Sequence, residues 1–397
     1  MSPRPSRRLD MMSSAIFTEM AERKAKIAKT KQVIDLGIGS PDQPPAPHLI
    51  EALVEAVRNP GVYGYPGSQG SPAFRETVAR WYRYRFGVEL SQSEVHSLMG
   101  SQDGLAHLAL AWADPGDVVL VPDPGYPIYA GSVYLSGAEL YPMPLRAENQ
   151  FLPDLDAIPQ EICSRAKLMI LNYPNNPVSA TAPLSFFEKA AAFAKQHDIL
   201  ILHDLAYSEL AFDGYKPPSF LQVPGAKDVA IEFNSFSKSF NMAGCRVAYA
   251  VGKAELLQPL AVVKSNIDYG VFAAVQEMAI AALQADMTGE QGNATSRIYQ
   301  ERRDALLSAL RDIGWDIEPP KATMFVWAPV PAGWSSREFA FAVLEEAGVV
   351  VIPGDAFGSE GEGYVRIALV QDEAVLREVA DRIGQTGILT RKPVNME

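Results

Sequence analysis

The chain has 397 residues; at about 150 residues per domain, that length predicts two or three domains and a core needing no disulfide or metal staple. With 48% hydrophobic and 21% charged residues, the composition excludes a disordered or fibrous chain. The 35 basic and 47 acidic residues leave a net charge of −12, which repels phosphate backbones and anionic lipid, so neither nucleic acid nor membrane is expected as a partner. Any anionic ligand must then be held by locally placed Arg, Lys or backbone N–H groups. Cys163 and Cys245 allow one bridge at most, and the five histidines lack zinc-ligand spacing, so no metal site is expected. The first ten residues are basic but lead into no apolar signal-peptide core. No run reaches the ~18 apolar residues of a spanning helix. A soluble, cytoplasmic protein is the expectation.

In chain order, short aliphatic runs recur, each followed by turn residues and then a helical pattern. Val95–Met99 leads into Gly100-Ser-Gln-Asp-Gly104, and Val118–Val121 into Pro122-Asp-Pro-Gly-Tyr-Pro127. Leu168–Leu171 leads into Asn172-Tyr-Pro-Asn-Asn-Pro177, Ile199–Leu202 into His203-Asp204, and Val229–Phe233 into Asn234-Ser-Phe-Ser-Lys238. The runs do not alternate, which is how strands covered on both faces read. Strand, crossover helix and strand in succession predict an α/β fold with a large, mostly parallel central sheet flanked by helices.

Beyond residue 285 the pattern changes. The spacing predicts a long helix over Ser296–Asp312, with Ile298, Ala305, Leu306, Ala309 and Ile313 on the buried face. Arg302, Arg303 and Asp304 are expected on the solvated face, and Gly314 as the stop. Met324–Trp327, a helix near Ser336–Ala347, Val349–Ile352 and Tyr364–Leu369 follow. These predict a smaller α+β domain from residues 1–45 and 286–397, beside a large domain over 46–285.

Open α/β sheets bind ligands at the carboxyl ends of their strands, and the chemically unusual residues collect there. The densest segment is Ser235-Phe-Ser-Lys238-Ser-Phe-Asn-Met-Ala-Gly-Cys-Arg246. Ser235-x-x-Lys238 matches the signature of serine acyl-transfer enzymes, but the Ser-Asp-Asn and Lys-Thr-Gly partners of that signature do not occur. The other reading makes Lys238 a Schiff-base lysine for pyridoxal phosphate. Such a lysine must be neutral to attack, so it needs burial and nearby positive charge. A protonated pyridine nitrogen needs a carboxylate, for which Asp204 is the candidate. The phosphate needs amides at a helix start plus hydroxyls and a cation, which the segment after Gly100, Ser101, Ser235 and Arg246 can supply. Gly37-x-Gly39 is no dinucleotide fingerprint, because position 42 is Asp.

Tyr-Pro-Asn-Asn-Pro, His-Asp-Leu-Ala-Tyr and Ser-Phe-Ser-Lys-Ser-Phe-Asn-Met-Ala-Gly-x-Arg, in this order, resemble fold-type I pyridoxal-phosphate aminotransferases. Tyr-Gly-Tyr-Pro-Gly-Ser-Gln-Gly (63–70), Gly-Ser-Gln-Asp-Gly-Leu-Ala-His-Leu (100–108) and Ala-Phe-Asp-Gly-Tyr-Lys-Pro-Pro-Ser (211–219) resemble the branch of LL-diaminopimelate and glutamate–pyruvate aminotransferases. The resemblance spans about residues 33 to 385. It implies that Lys238 bonds the cofactor and shuttles a proton, that Asp204 pairs with the pyridinium, and that Tyr207 and Asn176 bond the ring's 3-oxygen. It further implies that Tyr126 stacks on the ring. The phosphate is then held by Ser101, the Gln102 backbone, Ser235 and Arg246, with Tyr65 reaching across from a second subunit of a homodimer. Arg366, Gly39 and Asn176 are expected at the substrate carboxylate. The substrates implied are an L-amino acid and a 2-oxo acid, with the amino group moved in two half-reactions.

Taken one at a time, Asp204 also reads as a strand-end acid, Tyr207 as a core aromatic and Arg366 as an ion-pair arginine. Three departures stand out: Cys245 where relatives often carry a large aromatic, Ser179 ending the Asn-Asn-Pro-Val-Ser turn in place of a glycine, and Ala322-Thr-Met-Phe325 in place of a glycine-containing turn. Two rivals remain open at this point. One is a carbon–sulfur β-lyase of the same fold. The other is a non-enzymatic regulator, against which the −12 charge and the short segment ahead of the body both speak.

Overall fold

The computed structural model describes residues 3–12, 15–289 and 294–392. The expected small-domain segments include residues 1–2, 13–14, 290–293 and 393–397, which lie outside the described residues. Strand β1 (Ile34–Asp35) opens the sheet structure. The central seven-stranded sheet holds β2 (Val95–Leu98), β3 (Val118–Asp123), β4 (Glu139–Pro144), β5 (Ala166–Asn172), β6 (Leu200–Asp204), β7 (Ala230–Ser235) and β8 (Ala248–Gly252). Its order is β2-β8-β7-β6-β5-β3-β4. β4, β3, β5, β6 and β7 run parallel, while β8 is antiparallel to both β7 and β2.

Two reversals restore direction, so β2 points the same way as β5, β6 and β7. The carboxyl ends of β2, β3, β5, β6 and β7 therefore share one edge, and the chain re-enters β8 from that edge just after Arg246. The alternation hidden in the apolar runs reappears in packing. Leu168 and Ile170 join one core and Met169 and Leu171 the other, one on each face of the sheet. Strand β4 escapes the sequence pattern because Pro142 and Pro144 interrupt it; it is a half-exposed edge strand, where proline costs no ladder bond.

A third core gathers Ile34 and Leu36 with Tyr299, Leu306, Leu310, Val326, Ile367, Val379 and Ile383. Over it lie β9 (Phe325–Pro329), β10 (Val349–Val350), β11 (Ile352–Pro353) and β12 (Tyr364–Ala368). β12 is antiparallel to both β9 and β11, and β1 pairs with β10. The long helix runs Ala294–Asp312, with Gly314 at φ +88°. One expectation for it fails: Arg302 and Arg303 are buried, not solvated. Arg302 forms a bidentate pair with Asp42 at 2.7 Å and Arg303 bonds Asp213 at 2.7 Å, so each charge is carried inward by a partner from a distant segment. No helix among the described residues is long and apolar enough to cross a membrane.

Candidate active site

Between the carboxyl edge of the central sheet and the β9–β12 sheet lies a cavity of about 350 Å³. Its floor is built by β7 and the turn that follows. Ser235 caps that turn, its Oγ accepting from the Ser237 amide at 3.2 Å, and the turn Phe236–Ser239 delivers Lys238 into the cavity. Lys238 Nζ donates to the Gly39 carbonyl at 2.6 Å. Burial, reinforced by the charges of Arg366 and Arg246, lowers its pKa to about 8. The chain has another buried lysine, and the contrast is informative. Lys264 is fully buried and paired with Asp103 (2.5 Å) and Asp268 (2.8 Å), whereas Lys238 has no carboxylate partner among the described residues. Two carboxylates surround Lys264, while Lys238 is set up to lose its proton.

Asp204 ends β6, in register with Asn172 of β5 and Phe233 of β7. Its carboxylate accepts from Tyr129 Oη at 2.9 Å and from the Ala206 amide at 3.3 Å. Burial pushes its pKa up, and the Tyr129 bond counteracts this. A buried carboxylate facing a cavity with no Lys or Arg partner fits a ligand that brings its own positive charge. Tyr207 follows on the next turn, its phenol shifted upward by burial and hydrogen-bonded to Asn176.

At one end of the cavity the helix Ser101–Trp112 begins, with Gly100 at φ +83° before it. Arg246, itself at φ +52°, lies over this corner so closely that a Cβ on Gly100 would sit 2.3 Å from Nη2. Its Nη1 donates to the Ala243 carbonyl at 2.9 Å, and no carboxylate pairs with it among the described residues. First-turn amides, Ser101, Ser235 and an unpaired guanidinium together form a cradle for a dianion. Tyr126 stands beside it, its Oη 3.4 Å from Gln102 Oε1 and its ring edge-on to Tyr129.

At the other end Arg366 points inward from β12. It donates to Asn176 Oδ1 at 2.9 Å and to the Gly37 carbonyl at 2.7 Å, leaving Nε buried without a partner. The rings of Phe325 and Phe357 lie 4.3 and 4.6 Å from its guanidinium carbon. Burial lowers its pKa to about 10, so it stays charged near neutrality. Gly39 is required by packing, since a Cβ there would come 2.6 Å from the Phe325 ring.

The cavity thus offers a neutralisable amine, a buried carboxylate and two separated arginines without carboxylate partners among the described residues. That donor set fits pyridoxal phosphate with its phosphate at Arg246 and its ring nitrogen at Asp204, plus a substrate carboxylate at Arg366. Ser101, Gln102, Tyr126, Asn176, Asp204, Tyr207, Ser235, Lys238, Arg246, Gly39 and Arg366 all line the cavity. Tyr65 does not; it is 92% exposed on the outer surface against Tyr269. Phe325, singled out only as the end of an unusual turn, lines the cavity, while Tyr129 and Phe357 escaped the sequence reading because each sits where a packed aromatic is the ordinary expectation.

The family model for aminotransferase class I and II matches residues 31–383. LL-diaminopimelate aminotransferase of Moorella thermoacetica is 49% identical over 385 residues, covering 95% of this chain and 97% of the relative. That of Desulforudis audaxviator is 52% identical, covering 90% and 91%. Among solved structures, substrate-bound BacF from Bacillus subtilis superposes with a TM-score of 0.93 at 40% identity, covering all of both chains. The chain belongs to the class I and II aminotransferases and is a pyridoxal 5′-phosphate-dependent aminotransferase.

Proposed function

We propose that the enzyme takes the amino group of LL-diaminopimelate, or of an L-amino acid of the alanine and glutamate class, and passes it to 2-oxoglutarate or pyruvate. The observation that carries this reading is the pairing of Lys238 with two arginines that lack carboxylate partners at opposite ends of one cavity. Pyridoxal 5′-phosphate supplies the electron sink for the electrons left at Cα when its proton departs. The chain does the rest. Arg366 and Asn176 fix the substrate carboxylate, and so orient the Cα proton toward Lys238. Lys238, with its proton affinity lowered, takes that proton and returns it. Asp204 keeps the ring nitrogen protonated, Tyr207 and Asn176 hold the 3-oxygen, and Tyr126 covers the ring. Ser101, the Gln102 amide, Ser235 and Arg246 anchor the phosphate.

We further propose a homodimer with shared sites and a cytoplasmic location. Tyr63, Tyr65, Ile267, Tyr269 and Phe272 are 41–66% exposed except Tyr65, which is more so, and they include the tilted ring pairs Tyr63–Phe272 and Tyr65–Tyr269. An exposed aromatic patch of this kind seeks a partner. A second copy would cover it and place Tyr65 at the neighbouring phosphate. The division into a large domain over 46–285 and a small domain from both ends belongs to the same proposal; the separate cores on either side of the cavity support it.

A second donor class has one observation behind it. Beside Arg366 the cavity is lined by Phe17, Ile38, Phe325 and Phe357, and Asp204 is the one carboxylate among the lining residues. That wall suits an uncharged, bulky side chain. A panel of LL-diaminopimelate, alanine, glutamate, aspartate and phenylalanine, each with 2-oxoglutarate, decides. The first reading expects the highest kcat/KM for LL-diaminopimelate or the small donors; a preference for phenylalanine overturns it. Pyruvate and ammonia from cystathionine without a 2-oxo acid would favour the β-lyase.

A further inference from the structure

Behind Asp204, on the far face of the sheet, lies a buried polar cluster that the roles above do not use. Glu232 of β7 is fully buried and accepts four hydrogen bonds. They come from Tyr82 Oη (2.9 Å), Ser219 Oγ (2.6 Å), the Phe220 amide (2.7 Å) and His203 Nδ1 (2.7 Å). His203 is fully buried as well, next to Asp204 in the chain and opposite Glu232 in the ladder. Its other nitrogen, Nε2, lies 3.1 Å from the Tyr173 carbonyl.

The donor count fixes the charge. A carbonyl oxygen can only accept, so Nε2 must carry a proton. A carboxylate that already receives three other hydrogen bonds is strongly favoured as the anion, so Nδ1 must carry one too. The short Nδ1···Oε2 distance is that of a charge-assisted bond. We propose that His203 is an imidazolium paired with Glu232, and that this ion pair positions the cofactor-facing ends of three strands.

The geometry of the tie supports the second part. Tyr173 precedes Asn176 by three residues, His203 precedes Asp204 by one, and Glu232 precedes Ser235 by three. One buried pair thereby pins the exits of β5, β6 and β7 to each other from below. The titratable groups that couple to the pair are Tyr82 and Tyr249, through Glu232, and Asp204, through His203. From the helix Leu184–His197 it meets only the Phe187 ring, at 4.8 Å, and from the turn Phe220–Gln222 the Phe220 ring, at 6.0 Å. Tyr82, from the helix Pro72–Phe86, reaches it through Glu232 and packs on Tyr249 of β8. The Tyr173 phenol turns away to the Phe151 carbonyl at 2.7 Å. Asp204 on the opposite face is the nearest group that gains: burial pushes its proton affinity up, and the His203 charge opposes this.

His203 is thus a positioning residue for Asp204, which rests on the role proposed for that acid. The charge state is tested without the cofactor. In cofactor-free protein labelled with ¹⁵N-histidine, one imidazole must show both nitrogens protonated at the pH at which the enzyme is assayed. That signal must vanish in His203→Gln and change to a single protonated nitrogen in Glu232→Gln. A His203 signal with one protonated nitrogen at that pH overturns the ion pair. The functional part is read on the loaded enzyme. His203→Gln should move the acid limb of kcat/KM upward by about one pH unit, because Asp204 then faces Glu232 without its cation. A lower kcat with that limb unmoved would overturn the positioning role. If the Asp204 assignment itself fails, Asp204→Asn will leave the bound-cofactor absorbance unchanged while the imidazolium signal persists.

Discussion

Lys238 is the residue on which the proposed chemistry turns, and its environment makes a measurable claim. The ordinary lysine value is 10.5, and burial with two neighbouring arginines brings Lys238 to about 8. The neutral amine is the reactive form. In cofactor-free protein, acylation of Lys238 by an amine-directed reagent should therefore rise through about pH 8, well below the ordinary lysine value of 10.5. Mass spectrometry of the Lys238 peptide across pH checks it, and a Lys238 midpoint at the ordinary lysine value would refute the desolvation argument. The sign extends to stability. A lysine with a depressed value binds fewer protons folded than unfolded, so its cost is present in full below about 8 and is relieved as pH climbs toward 10.5. At this scale the sequence was most legible for Lys238, Asp204 and Arg246, because a lone lysine or acid at the end of an apolar strand is chemically out of place. Arg366 was legible only through its resemblance. On a strand an arginine reads as surface, and its burial between two phenylalanine rings is set by residues far away in the chain.

At the scale of elements, the site depends on strand ends being held in register. Two of the departures from the family pattern meet there. Ser179 at φ +58° and Thr323 at φ +79° are both buried, and their hydroxyls lie 2.9 Å apart. Ser179 Oγ also reaches the Phe325 carbonyl at 2.9 Å, beside the ring that packs on Arg366. Two left-handed, non-glycine positions, one of them β-branched, persist only where surrounding bonds compensate the strain. Ser179→Ala should cost about 1–3 kcal/mol in thermal or denaturant unfolding. It should also raise KM more than it lowers kcat, since Phe325 loses its anchor at the carboxylate site. Unchanged stability and KM would show the hydroxyl pair to be incidental. Pattern reading located the parallel strands because burial on both faces leaves an uninterrupted apolar run. It missed β4, whose prolines and half-exposed edge position erase that signal, and it misplaced Arg302 and Arg303. An amphipathic helix does not reveal in its own sequence that Asp42 and Asp213 will come to meet its charges.

For the whole molecule, −12 argues against polyanionic partners, yet the site gathers two arginines without carboxylate partners among the described residues within a cavity. Net charge describes the surface and says little about a pocket. Tyr65 shows the same limit from the other side: it is expected at the cofactor phosphate and lies outside its own cavity. If a second copy supplies it, mixed dimers report that directly. Lys238→Ala and Tyr65→Ala parents should each be impaired. Co-refolded or co-expressed, they should recover activity well above either parent, because one of the two hybrid sites then has both native residues. No recovery, with mixed dimers shown by mass, would count against shared sites.

The central claim is that pyridoxal 5′-phosphate is held covalently by Lys238 in the cavity between the sheets. Borohydride reduction of the loaded enzyme, followed by proteolysis and mass spectrometry, tests it most directly. The reduced adduct should fall on the peptide carrying Lys238 and on no other, with the absorbance of the bound cofactor lost in step. An adduct on a different lysine, such as Lys264, or no covalent adduct at all, would contradict the account.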